Sequence, residues 1–429
     1  MTTIISKRAR SYTLFLLVLV FTSSHVDRQI VTILAEPIKQ TFDLADWQLG
    51  LMTGVTFALF YATLGMPMAM WADRRSRRNL ITFSISLWSL MTVLCGMATQ
   101  FWQLLLARIG VGVGEAGSNP PSHSIISDLY KPEERATAMA IFGLGVNLGI
   151  MLGYLIGGWV NEWLGWRWAL VIAGVPGLLI AAMVRFSMTE PPRGYADGIT
   201  EKPVAPPFWD VARAMWRNSI VCHLVIANVL ISFAGYAVVA WGPVYLQRVH
   251  GMSTGESGTF LAAAVGIGGV AGTFFGGYLA DKLSVIHEGW RAWVVAVALA
   301  IYAPCAIIAF LATDLNTTML WYLGPAMLGG TYIGVNFAIL QSQVTVEMRS
   351  VAAAINLFIL NIIGLGLGPL SVGIISDSMA ASAGVDSLRY GLLAMVAIIV
   401  WGGVHQWWCG VLLKRDQSTS HEIARASSA

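Results

Sequence analysis

Gly65-Met66-Pro67-Met68-Ala69-Met70-Trp71-Ala72-Asp73-Arg74 closes one apolar stretch, and Thr273-Phe274-Phe275-Gly276-Gly277-Tyr278-Leu279-Ala280-Asp281-Lys282 closes another. Both end in alanine, aspartate and a base, and the two triplets stand 208 residues apart. Gly50 and Gly258, which open the helices leading into them, keep the same offset. A constant offset across a whole helix predicts a duplicated chain, and internal symmetry of this kind is how repeated bundles show in sequence. Glu134-Arg135 and Glu347-Met348-Arg349 then occupy equivalent loops further on.

What surrounds the repeat is apolar. Of 429 residues, 56% are hydrophobic and 11% charged, where soluble proteins carry roughly 25% charge. The mean hydropathy is +0.67. A water-soluble fold would show water an almost uncharged surface, so the composition predicts an integral membrane protein. Its 44 glycines suit helices that pack closely in lipid. The net charge of +3 gives no reason to expect nucleic acid. Cys95, Cys222, Cys305 and Cys409 are scattered singly, which predicts buried thiols and no metal site. No cleavable signal peptide is expected, because Asp27 and Arg28 interrupt the first apolar stretch.

A crossing needs about 20 apolar residues. Turn residues and charge clusters divide the first half into stretches near 11–39, 47–71, 79–99, 102–129, 135–162 and 166–188. A polar linker, 189–218, separates them from 219–249, 254–280, 291–312, 317–346, 350–377 and 388–413. The expectation is therefore twelve transmembrane helices in two pseudo-symmetric six-helix bundles, 1–188 and 219–416, with a disordered tail at 417–429. Lys7, Arg8, Arg10, Arg74, Arg75, Arg77, Arg78, Lys131, Arg135, Arg213, Arg217, Lys282, Arg291, Arg349, Lys414 and Arg415 fall in alternate loops. By the positive-inside rule those loops, and both termini, are cytoplasmic. Arg167, Arg248 and Arg389 are the exceptions.

At this point the loops resemble a known family. Ala69-x-x-x-Asp73-Arg74-x-Ser76-Arg77-Arg78 is similar to the motif between helices two and three of the major facilitator superfamily, with Ala69 and Ser76 where glycine is usual. Gly277-x-x-x-Asp281-Lys282 resembles its second-half copy. The resemblance implies conformational gating by Asp73, Arg74, Arg77, Arg135, Asp281, Lys282 and Arg349. It also implies that helices one, four, seven and ten line a central cavity.

An ionisable group inside a span costs at least ~2.5–3.5 kcal/mol and is by default a functional-site hypothesis. Asp27 and Arg28 in helix one and Arg108 and Glu115 in helix four are four such groups. At 1.5 Å rise per residue, Asp27 lies about 18 Å from Lys39 and Glu115 about 20 Å from Trp102, so the two carboxyls are level. Arg108 and Glu115, two turns apart, share a face. Gly110, Gly112 and Gly114 lie between them, which predicts nothing bulky shielding the guanidinium. The four either form a neutral lock between helices one and four, or couple protonation of Asp27 or Glu115 to a ligand on Arg28 and Arg108. His25 reads as a packing or hydrogen-bonding residue. The second half offers no mid-membrane charge; Asn228, Tyr236, Trp241, Tyr322, Tyr332 and Asn336 stand among Phe, Leu and Val. Of these, Tyr236, Tyr322 and Asn336 are the candidate substrate contacts. One charged wall and one neutral wall suit an amphiphile.

No GxxxxGK[ST] loop occurs, so ATP hydrolysis is not indicated. No nucleophile, base or HExxH set suggests an intramembrane enzyme, and no cofactor is expected. Within the superfamily, Asp27-Arg28, the loop 72–78, Arg108-x-Gly110-x-Gly112-x-Gly114-Glu115-Ala116, Ser127-Asp128-Leu129-Tyr130, Leu152-Gly153-Tyr154-Leu155-x-Gly157 and Gly165-Trp166-Arg167-Trp168-Ala169 resemble the Spinster-like transporters. Spinster-like proteins are implicated in exporting phosphorylated sphingoid bases and lysophospholipids, so the resemblance implies a substrate of that amphiphilic, anionic-headgroup class, moved by a monomer in the bilayer. Proton coupling is the expectation that Asp27 and Glu115 raise. The anion:cation symporters, which take small sugar acids, share the Asp-Arg and the Arg-x-x-x-Gly-x-Gly-Glu stretch and remain the alternative.

Overall fold

The computed structural model describes residues 5–196 and 206–428, and among them every regular element is helical. The first part holds α1 (Lys7–Ile33), α2 (Thr56–Arg74), α3 (Arg77–Met97), α4 (Phe101–Glu115), α5 (Asn119–Leu129), α6 (Pro132–Leu164) and α7 (Trp166–Ser187). Then come α8 (Phe208–Arg217), α9 (Ser219–His250), α10 (Gly268–Ser284), α11 (Gly289–Leu311), α12 (Leu315–Leu328), α13 (Tyr332–Ser342), α14 (Arg349–Ile359), α15 (Gly368–Ala383) and α16 (Ser387–Ser428).

Ten helical stretches among the described residues are long and apolar enough to cross a membrane. The last, Val346–Gln417, has 72 residues, more than three times the ~20 a crossing needs. The stretch read as one span at 102–129 is not among the ten, because it is broken into α4 and α5, of 15 and 11 residues. The physical reason is Asn119-Pro120-Pro121: proline has no N–H to give to the carbonyl four residues back, so α4 ends at Glu115 and a turn separates it from α5.

The described chain forms two compact units, one of residues up to 196 with 240–266, the other of 206–239 with 267–428. The division does not follow the linker. It cuts α9 at Ala240, because the end of α9 makes its contacts with helices of the first unit. In that unit Gly145, Gly149, Gly153 and Gly157 of α6 lie along α1. A Cβ on Gly149 would stand 2.6 Å from the Thr22 carbonyl oxygen, and one on Gly153 3.0 Å from that of Val26. Only glycine permits that approach. The second unit repeats the device where a Cβ on Gly368 would stand 2.2 Å from the Phe233 carbonyl oxygen.

Wider turns recur in both units. Leu51–Val55, just before α2, and Ala262–Ile267, just before α10, are π-helical, as is Leu360–Leu367 between α14 and α15. Such turns are rare and gather where function bends a helix. Two further features depart from the sequence reading. The linker contains α8, whose Val211 and Met215 are buried one turn apart while Trp209 and Trp216 are 75% and 79% exposed. The last helix runs on to Ser428, through the segment read as a disordered tail.

Candidate functional site in the first unit

Three helices of the first unit bring the intramembrane charges together. Arg28 on α1 reaches Glu115 at the end of α4: its Nη2 lies 2.6 Å from Oε2, and its Nε donates to the same oxygen at 2.7 Å. The Glu115 side chain is fully buried and that of Arg28 is 19% exposed. The guanidinium also stacks on two rings of α2, 4.7 Å from the Phe57 centroid and 4.6 Å from that of Tyr61. Each such contact contributes about 0.5–2 kcal/mol. Phe57 and Tyr61, themselves stacked at 5.3 Å, are site residues that sequence reading missed. The charged partners stand out against an apolar chain, whereas two more aromatics do not.

Asp27 and Arg108 are brought close to this pair without joining it. Asp27 is fully buried, and neither carboxylate oxygen has a hydrogen-bond partner. Arg108 is 2% exposed, and its Nε is likewise unpartnered. Glu115 Oε1 has no partner either. The expected lock, Asp27 with one arginine and Glu115 with the other, is therefore half made. The glycines of α4 also serve a different end from the one expected. Cβ atoms on Gly110, Gly112 and Gly114 would stand 2.6 Å from Met91, 2.7 Å from the Phe57 carbonyl and 2.8 Å from the Trp88 backbone nitrogen. They let α4 seat against α2 and α3 and do not open a path to the guanidinium. His25 Nδ1 donates to the Phe21 carbonyl, 3.0 Å away, and its ring meets the Phe21 ring edge-on.

The gating residues fall into different situations. Arg77 is 1% exposed and belongs to an internal brace: it binds Asp128, gives Nη1 to Ser124 at 2.9 Å and Nη2 to the Pro191 carbonyl at 2.7 Å. Glu190 accepts from the Arg77 backbone N–H at 2.7 Å, and Arg193 donates to the Ala72 carbonyl at 2.6 Å. The loop 72–77 is thus tied to the start of the linker. Arg74 is exposed, and the Asp73 side chain lies outside the described residues. Arg135 gives Nη2 to the Ser127 carbonyl at 2.8 Å. In the second unit Asp281 is exposed, Lys282 lies 5.9 Å from the Tyr278 ring centroid, and Arg349 donates to the Gln341 carbonyl at 3.2 Å.

The other second-unit candidates sit in different surroundings. Asn336 donates to Asn228 at 2.7 Å and to Gln406 at 3.1 Å, and accepts from Gln406 at 2.7 Å; Asn228 in turn donates to Asn356 at 3.3 Å. Its amide is already engaged in a buried ladder. Tyr322 is buried edge-on to Phe310, and Tyr236 is half-buried.

The end of α9 carries a second ionic cluster within the first unit. Arg248 clasps Asp46 at 2.7 and 2.9 Å and Glu36 at 2.7 and 3.1 Å. Lys39 pairs with Asp46 as well, and Gln247 donates to the Ile33 carbonyl at 3.1 Å. This explains why Arg248 stood against the charge bias of its loop: two carboxylates hold it.

The comparisons with known proteins agree with this architecture. The family model described as Major Facilitator Superfamily matches residues 16–369. An MFS-type efflux pump of Mycolicibacterium smegmatis is 32% identical over 406 residues, covering 93% of this chain and 92% of its own. Protein spinster homolog 1 of Xenopus laevis is 26% identical over 421 residues, 92% of this chain and 79% of the relative. The crystal structure of a bacterial homolog to the human lysosomal transporter Spinster, inward-facing and unoccupied, superposes with a TM-score of 0.87 at 32% identity, covering 96% of this chain and 99% of that one. With two compact helical units, a duplicated loop and a buried charge cluster between α1 and α4, the chain belongs to the Major Facilitator Superfamily as a Spinster-like, multi-pass integral membrane transporter.

Proposed function

We propose that the chain is a proton-coupled secondary transporter that moves an amphiphile with an anionic headgroup, such as a lysophospholipid or sphingoid-base phosphate, by alternating access through twelve spans with both ends in the cytoplasm. The observation that carries this is the asymmetry of the cluster: Arg28 and Glu115 are paired, while Asp27 and Arg108 are buried and unpaired. A guanidinium matches a phosphate oxygen pair in geometry and charge. A headgroup entering between Arg28 and Arg108 takes the place of Glu115, which then has to gain a proton or a new partner. Asp27, already without one, is the other proton-holding group. Charge is thereby exchanged for charge inside a medium that tolerates little of it.

Tyr236 and Tyr322 are proposed as contacts for the apolar part of the ligand. Asn336 acts through its ladder, shaping that wall without binding, since its amide is engaged. The absorption of these amides by each other supports an amphiphile over a polar sugar acid. Arg77 braces the loop, and Asp73, Arg74, Arg135, Asp281, Lys282 and Arg349 are proposed to gate the cytoplasmic side. In a bacterium the protein resides in the inner membrane as a monomer.

Thermal unfolding of the purified protein with lysophospholipids, sphingoid-base phosphates and sugar acids, at an acidic and a neutral pH, tests the reading, because a ligand bound only to the folded state raises its stability. A lysolipid that raises the melting temperature of the wild type and has no effect on Arg108→Ala is the expected result. Stabilisation by sugar acids alone selects the organic-anion symporter instead.

A further inference from the structure

Between Ser84 and Thr92, α3 carries four buried side-chain polar atoms without hydrogen-bond partners, and two of them stand beside Asp27. Trp88 and Ser89 are fully buried, and Ser84 and Thr92 are 1% and 2% exposed. Ser84 Oγ, Trp88 Nε1, Ser89 Oγ and Thr92 Oγ1 all lack a hydrogen-bond partner. Two of them, the Trp88 N–H and the Thr92 hydroxyl, face the Asp27 carboxyl. Unused donors in a membrane interior are costly, and so is an unpartnered carboxylate. Donors placed opposite an acceptor that has not closed on them are what a carboxyl that changes charge requires. As the neutral acid it needs little from its neighbours, and as the anion it needs hydrogen bonds at once. The seating of α4 holds this face in place, since Gly114 abuts the Trp88 backbone.

We propose that Trp88 and Thr92 of α3 are positioning residues for the proton-coupling step, whose N–H and O–H receive the Asp27 carboxylate when it releases its proton. The proposal rests on the reading of Asp27 as a proton-holding group. Other ionisable groups facing Asp27 are Glu115 and Arg108 from α4; Cys95 from α3 is also electrostatically coupled to it, and on α1 itself Arg28 is the next residue and His25 the second before it. Glu115 is neutralised by Arg28, and Arg108 offers its charge from α4. The two α3 donors are the neutral contribution to the balance, and the one that a substitution removes without altering net charge.

Infrared pH titration of the protein in lipid vesicles reads protonated carboxyl groups directly and requires no known substrate. Asp27→Asn is expected to delete one protonated-carboxyl band. Thr92→Val, which keeps the shape of the side chain, and Trp88→Phe are each expected to move the midpoint of that band upward by about one pH unit, the size of one lost hydrogen bond to a charged acceptor. Thr92→Ser, which keeps the hydroxyl, leaves it in place. If Asp27→Asn removes no titrating band, the reading of Asp27 itself fails. If the band is Asp27's and Thr92→Val and Trp88→Phe leave its midpoint unmoved in folded protein, the assignment of these donors is overturned.

Discussion

Glu115 and Arg28 sit 87 positions apart in sequence and share a largely buried ion pair. Removing one partner of such a pair leaves the other buried and alone, which costs about 3–5 kcal/mol, while replacing both by apolar groups costs far less. Arg28→Met and Glu115→Met are therefore each expected to lower the melting temperature sharply, and the double variant to recover most of the loss. A double variant as unstable as the sum of the singles would mean that the two side chains contribute independently. The four charged positions were legible in the sequence because charge is scarce within the spans. Their pairing was not. Rise per residue fixes depth, and it placed Asp27 and Glu115 level, but depth does not say which side chain turns toward which helix. Arg28, next to Asp27, takes the carboxylate, and the rings of Phe57 and Tyr61 hold it there.

Among the helices, spacing decides where two can meet closely. The glycines at every fourth residue of α6 fall on one face of it and are set against α1. The alternating glycines of α4 carried no such periodic signature, and their partners on α2 and α3 are set by tertiary packing. Pro120 and Pro121 were present in the sequence at the point where the span breaks, yet an apolar run on both sides masks a break. The break places Glu115 at the last turn of α4, where the tighter bonds Gly117 N–H to the Gly114 carbonyl at 3.2 Å and Ser118 N–H to the Glu115 carbonyl at 3.3 Å close the helix end. Pro120→Ala with Pro121→Ala is expected to extend the helix through residues 116–118, which slower amide hydrogen exchange across that turn would show. Unchanged exchange would mean that the turn is held by its surroundings and not by the prolines.

At the level of the molecule, the 208-residue offset announced the duplication, and the wider turns preceding α2 and α10 echo it. The boundaries of the compact units could not be read the same way. Residues 240–266 follow the linker in sequence and belong by contact with the helices that precede it. Part of what holds them is ionic. Arg248→Ala frees Glu36 and Asp46 from their shared base, and a cysteine placed at the buried Thr254 is expected to react faster with a thiol reagent in that background than in the parent. Equal rates would place the hold elsewhere. The other part is a close approach of two backbones, beside which the Thr254 hydroxyl donates to the Gly158 carbonyl at 3.0 Å. Gly158 faces the Thr254 carbonyl, where a Cβ would come within 2.5 Å, and Gly258 faces that of Tyr154, where it would come within 2.4 Å. Backbone set this close to backbone leaves no flexible side chain that could swing aside for an added Cβ. The seam is closed by what the two glycines lack, and a single methyl group at either one is a doorstop.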